Sequence, residues 1–374
     1  MHSVFRAARY GRSRRDFIRG RLTFDNIHAQ QQRRWVSDAV TISPVLALKV
    51  FIGLPIALWT YKCLMLVLFQ RKIIYMPFMP PGNKSMTIAE QSRRNVDGLS
   101  VLPITTTSRG QTTRLGNPII LQGIQVTSIK PEHSKENNIV VLYFQGNAGT
   151  PLHRLSKFRR IIDFQRRVEQ QITIVAFAPR SYWSSTPVKP TEQGLINDYE
   201  SALMFAVQKY GPNAHYFVYG HSLGGAATIH TVLRHISDSD SATSNNTVPI
   251  SGVILENPMA SIPEMVQAIY PQKWLPYHYL GTFAFDTWNS QKLLLEHKTS
   301  TTIPALFLLS EMDEIIPYKL GEALHESWNR SMGPSKCVII GRALHETAWY
   351  YPIWDKEFSN FLQQHAKSKS NLLP

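Results

Sequence analysis

The stretch Tyr216-Phe217-Val218-Tyr219-Gly220-His221-Ser222-Leu223-Gly224-Gly225 governs how the rest of the chain is read. An apolar run suited to a buried strand meets G-x-S-x-G, and the small residues Gly225-Ala226-Ala227-Thr228 then open a helix. Glycines two before and two after the serine let a strand turn sharply into a helix without Cβ clashes. Such a turn holds the Ser222 hydroxyl proud of the sheet, and the helix N-terminus behind it favours developing negative charge. This is the pattern of a nucleophile elbow.

A serine is a weak nucleophile by itself, so the chain must supply a base, an acid that orients it, and donors for an oxyanion. On an elbow of this kind the acid and then the base follow the serine, each on a loop after a later strand. The apolar run Ala305-Leu306-Phe307-Leu308-Leu309 leads into Ser310-Glu311-Met312-Asp313-Glu314, which places Asp313 just past a strand end. Glu311 and Glu314 are near alternatives, and Glu256, after Val253-Ile254-Leu255, is one from an earlier loop. The base is read as His345, directly beyond the run Cys337-Val338-Ile339-Ile340. His325 falls in a helical stretch, His365 in the C-terminal tail, and His221 is expected to pack beside the elbow. The Leu223 amide should supply one oxyanion donor. The Asn147 amide should supply the other, from Gln145-Gly146-Asn147-Ala148-Gly149, where small residues allow close approach.

Taken together, these stretches resemble the α/β-hydrolase superfamily. The branch they resemble most is that of eukaryotic membrane-anchored abhydrolase-domain proteins, which includes fungal bud-emergence-related serine hydrolases. The resemblance runs from about Arg71 to about Gln363. It is carried by Tyr75-Met76-Pro77, the 145–149 loop, Pro190-Thr191-Glu192-Gln193-Gly194, the elbow, Glu256-Asn257-Pro258 and the stretch 310–317. It implies an α/β-hydrolase fold and esterase, lipase or thioesterase chemistry with no cofactor. Two departures stand out. Gln145 replaces the family's usual His, and Arg180-Ser181-Tyr182-Trp183 replaces a usual Arg-Gly-Tyr-Gly turn. The lost glycines bear on the shape of the loop facing Ser222, and Trp183 is expected to narrow the pocket.

The chain has 374 residues, 43% of them hydrophobic and 18% charged, enough for one such domain plus an N-terminal extension. Its net charge of +14 is uneven, because nine arginines, no lysine and only Asp16 and Asp25 among acids occupy the first 35 residues. An Arg-rich, acid-poor start reads as a mitochondrial targeting segment over 1–36, with a cytosolic basic tail before a signal anchor as the alternative. Residues 44–72 read as a transmembrane anchor, 73–98 as a linker, 99–366 as the catalytic domain and 367–374 as a tail. Within the anchor, branched and aromatic side chains contribute roughly −5 kcal/mol to insertion against roughly +3 for Lys62. The positive-inside rule leaves the N-terminus in the matrix or cytosol and puts the catalytic domain across the membrane. Mitochondrial membrane is favoured, with endoplasmic reticulum or another endomembrane as the alternative. Cys63 and Cys337 form no disulfide framework or metal site.

In the catalytic domain, segments around Ile104 and over 118–129 suggest an opening antiparallel pair. Later strands begin at Ile139, Ile172, His215, Gly252, Ala305 and Cys337, alternating with helical patterns, which means a mostly parallel sheet flanked by helices. Residues 258–290 interrupt the alternation with many aromatics and read as a short lid. Tyr182, Trp183, Tyr270 and Trp274 are expected to line the substrate pocket. Arg154, Lys157, Arg159 and Arg160 read either as a solvated helix face or as a basic rim that meets anionic headgroups.

The expectation is a single-pass membrane serine hydrolase acting on an acyl ester or thioester, lipid or acylated protein, without cofactor or metal. Its partners are the lipid bilayer and the acyl substrate, not nucleic acid, since much of the charge lies in the targeting segment and no recognition motif is present. An inactive scaffold of the same fold and a lipid acyltransferase remain alternatives.

Overall fold

The computed structural model describes residues 43–90, 98–129, 138–240, 249–297 and 301–366. The targeting segment, the tail and most of the 237–247 loop lie outside these residues. By their contacts the residues fall into two units, 1–61 and 62–374.

Helix α1 (Pro44–Leu68) carries the apolar run and has no buried residue. Its 25 residues would extend about 37 Å, more than the roughly 30 Å of a bilayer core. It is long and apolar enough to cross a membrane, consistent with an N-terminal anchor. A short helix α2 (Gln70–Ile74) follows.

In the second unit, runs of β-branched and aromatic residues form one sheet. Its strands are β1 (Leu99–Thr112), β2 (Pro118–Ser128), β3 (Ile139–Phe144), β4 (Ile172–Phe177), β5 (His215–His221), β6 (Ile250–Glu256), β7 (Ala305–Ser310) and β8 (Ser335–Ile340). Their order across the sheet is β1-β2-β4-β3-β5-β6-β7-β8. β1, β2 and β4 pair antiparallel, and the pairs from β4 through β8 are parallel. β3, β4, β5 and β7 are buried at every position. That is why they read as continuous apolar runs rather than alternating ones.

The helices bury the two faces of the sheet. Helices α3 (Leu155–Ile162), α4 (Gln165–Val168) and α10 (Pro352–Ala366) form one group. Helices α5 (Glu192–Tyr210), α6 (Leu223–Asp240), α8 (Ser290–Glu296) and α9 (Tyr318–Ser331) form the other. Between β6 and α8 the chain makes an excursion through α7 (Ile262–Ile269) and a 3-10 stretch, Pro276–Phe283. Ser261 caps α7 by accepting from the Glu264 N–H at 3.2 Å. The excursion is tied to the segment after α1. Arg71 pairs with the buried Asp286 at 2.7 and 3.0 Å, and the Trp288 indole donates to the Tyr75 hydroxyl at 3.0 Å.

Candidate active site

β5 ends at His221 and α6 begins at Leu223, so Ser222 makes the turn alone, with φ +57°. A non-glycine residue is strained there, and the strain persists only because neighbours over-determine it. The Ser222 N–H donates to the Glu256 carbonyl at 3.0 Å, and its own carbonyl accepts from Gly225 and Met259 at 2.9 and 3.1 Å. A Cβ at Gly220 would strike the Gly224 carbonyl, and one at Gly224 would strike Phe144, so the elbow requires both glycines. The 145–149 loop passes close by, since a Cβ on Gly146 would lie 3.4 Å from that of Ser222. Among the described residues the Leu223 and Asn147 N–H groups have no protein acceptor. The Asn147 carbonyl is held by the Met76 N–H and the Tyr182 hydroxyl, both at 2.9 Å.

Asp313 and His345 come from the loops after β7 and β8 and meet. His345 Nδ1 and Asp313 Oδ2 are 2.7 Å apart, with both side chains almost wholly buried. The other Asp313 oxygen accepts the Ile315 and Ile316 N–H groups at 2.8 and 2.7 Å, which aims the carboxylate. With Nδ1 donating to Asp313, Nε2 is the ring nitrogen able to accept a proton. The His345 backbone is pinned as well. Its N–H donates to Glu314 at 3.0 Å, and its carbonyl accepts from Asn257 Nδ2 at 2.8 Å and His221 Nε2 at 3.1 Å. The His221 and His345 rings lie 4.9 Å apart, so the residue preceding Ser222 is in contact with the histidine loop.

The acid alternatives are spent elsewhere. Glu311 and Glu314 accept main-chain N–H groups of the 341–345 loop, at Arg342 and His345. Glu256 is fully buried and accepts from Lys157 at 2.7 Å, from the Trp354 indole at 2.8 Å and from the Tyr219 hydroxyl. Burial pushes its carboxyl up, but Lys157, His221 and these donors outweigh that and hold it below the usual carboxylate range. Burial lowers His221 to about 4, so it is neutral at pH 7 and donates through Nε2.

The four expected pocket residues sit in different settings. Tyr182 is fully buried behind the 145–149 loop. Trp183 is nearly buried, its indole donating to the Met86 carbonyl at 2.8 Å. Tyr270 lines an apolar cavity beside α1 and α2, whereas Trp274 stands 72% exposed. Ser181 and Trp183, at the two positions where the related turn has glycine, take φ +67° and +45°. The left-handed turn is therefore kept without glycine, and Arg180 anchors it through Asp198 at 2.7 and 2.9 Å.

The basic-rim expectation is corrected. Lys157 is buried in the pair with Glu256, and Arg154, Arg159 and Arg160 pair with Glu346, Asp163 and Asp355. Each of these four charges has a carboxylate partner, and Lys157 does not face solvent. Asn257 and Ser310, to which the sequence assigns no role, tie the β6, β7 and β8 loops together. Asn257 Nδ2 donates to Ser310 Oγ at 2.9 Å, and Ser310 Oγ donates to the Leu344 carbonyl at 2.9 Å. Both lie in stretches that carry the resemblance, at the ends of apolar runs, but nothing local shows that they bond to each other.

The sheet order and the elbow after β5 define the α/β-hydrolase fold, with one long apolar helix ahead of it. The comparisons agree with that fold. Protein bem46 of Schizosaccharomyces pombe is 32% identical over 185 residues, 49% of this chain and 54% of that protein. The Danio rerio protein named lysophosphatidylserine lipase ABHD12 is 29% identical over 212 residues, 54% of this chain and 50% of that protein. The chain thus spans about half the length of these curated relatives. An alpha-beta hydrolase from Vibrio vulnificus superposes with a TM-score of 0.54 over 82% of this chain and 92% of its own, at 17% identity, a likeness of fold. No family model matches the sequence.

Proposed function

We propose that the protein is a membrane-anchored serine hydrolase that cleaves acyl esters or thioesters. The observation that carries the reading is the Asp313–His345 hydrogen bond of 2.7 Å on the loops beside a strained Ser222 elbow. In this mechanism His345 Nε2 takes the Ser222 proton as the oxygen attacks the acyl carbonyl. Asp313 holds the tautomer and stabilises the imidazolium, while the Leu223 and Asn147 amides receive the oxyanion. Collapse releases the alcohol or thiol, which takes the proton from His345, and leaves an acyl-Ser222 ester. Water activated by the same imidazole then frees the acid and restores the serine.

A lipid ester is the substrate class favoured, supported by the apolar helix α1 and by the lipase named among the relatives. The excursion over 258–290 is proposed as a lid, and the Arg-rich start favours a mitochondrial membrane. Labelling by a fluorophosphonate tests the chemistry. Ser222→Ala should abolish labelling and cut ester turnover by at least about a thousandfold in folded protein. A variant that keeps near-parental turnover would refute the mechanism.

A further inference from the structure

The last turns of α1, the helix α2 and the excursion line a half-open apolar cavity of about 170 Å³, whose lining does not include Ser222. Leu66, Val67 and Ile74 face it from one side and Val266, Leu280 and Ala284 from the other. Leu66 and Gln70 are one helical turn apart on a single face, and Lys62 lies one turn earlier on that face. The Lys62 ammonium sits 4.3 Å from the Tyr277 ring centre, so the excursion runs alongside these turns rather than only capping them.

What fills the cavity follows from its wall. A buried water needs two to four polar partners. Gln70 reaches the wall, but its amide donates to the Val67 and Phe283 carbonyls and its oxygen accepts the Phe285 N–H. Water is therefore a poor occupant. The wall is also the end of the membrane-length helix, and on the same excursion Ile269, which lines the cavity, and Trp274, Phe283 and Phe285 are each more than half exposed. Tryptophan, here Trp274, is a residue that collects at the boundary between headgroups and acyl chains. Beside a leaflet, the apolar species at hand is an acyl chain. An engineered apolar cavity of about 150 Å³ accepts benzene, so this one suits the last six or so carbons of a chain.

We propose that this cavity binds the acyl chain of a bilayer lipid, taken directly from the leaflet on the side of the hydrolase domain. The proposal rests on the membrane placement of α1 and not on the role of Ser222.

The test uses the full chain in phosphatidylcholine nanodiscs doped with phosphatidylcholine that carries a diazirine at its acyl terminus. Irradiation should cross-link both walls, at 66–74 and at 262–284. Val266→Trp or Ala284→Trp, which fill the space, should reduce that yield about tenfold, the equivalent of about 1.4 kcal/mol of binding. Leu280→Ala, which enlarges the space and creates no clash, should raise it, and this keeps the proposal exposed even where a filling variant fails to fold. Cross-links that map only to 44–61, or that ignore all three substitutions, would overturn it. Release of the parent protein by alkaline carbonate would remove the membrane placement and the proposal with it. Fluorophosphonate labelling of Ser222, read in parallel, reports on the hydrolase reading alone.

Discussion

Glu256 and Asp313 belong to the ends of neighbouring parallel strands, and each has an imidazole nearby, His221 in one case and His345 in the other. Glu256 spends its oxygens on a lysine, an indole and a phenol in a wholly buried site. Asp313 gives one oxygen to two main-chain amides and leaves the other for His345. A carboxylate saturated by fixed donors ties helices to a sheet. One with a single oxygen on an imidazole can follow that ring's change of charge. Position in the fold made both residues candidates, and their hydrogen-bond partners separate them.

The comparison breaks most sharply at Asp313. In Asp313→Asn the oxygen would keep the Ile315 and Ile316 amides, so the NH₂ would face His345 Nδ1 and force the wrong tautomer. Turnover should fall about four orders of magnitude with little change in melting temperature. A loss of that size in Glu256→Gln, per folded molecule, would exchange the two roles.

At Glu256 the expected loss is in stability. Glu256→Gln leaves the buried Lys157 ammonium without its counter-charge, which should cost about 3–5 kcal/mol by urea unfolding. The acid dependence carries the same signature. Because the folded-state carboxyl is held below its ordinary 4.5, its stabilisation is present above that value and is lost as pH falls through the folded value. The parent protein should therefore lose this increment on acidification, and the Gln variant should lack the step.

Trp354→Phe sharpens the contrast with the smallest change, removing one donor to Glu256 while most of the ring packing remains. A loss of about 1.5–3 kcal/mol with turnover intact is expected. A fall in turnover at unchanged stability would show that the Glu256 cluster reaches the chemistry.

Much of this was legible because buried parallel strands are short continuous apolar runs. Those starting at Ile139, Ile172, His215 and Ala305 begin where expected, whereas β6 and β8 start two residues earlier, at Ile250 and Ser335. Ser335 and Lys336 are not buried, so no apolar signal marks that edge. The exchange of β3 and β4 in the sheet order leaves no local trace, since it depends on how crossovers pack. Lys157 shows the limit of helical spacing. Beside Arg159 and Arg160 it reads as part of a charged face, and only a partner 99 residues away, Glu256, shows that it points inward. The Ser181 and Trp183 turn was obscured for a related reason. Left-handed backbone at non-glycine residues costs about 1–3 kcal/mol each and persists through tertiary support that no neighbouring residue encodes.

The clamp between Arg71 and Asp286 spans 215 residues of chain. At about 5–20 residues per second, synthesis of that length takes roughly ten to forty seconds. Throughout that interval Arg71 leaves the ribosome with its carboxylate partner not yet made, directly behind the apolar helix. If α1 is threaded into a bilayer as it is made, Arg71 weighs on its orientation without its carboxylate partner, against the nine arginines among the first 35 residues. Asp286 then ties the short helix behind α1 to the excursion by an ion pair.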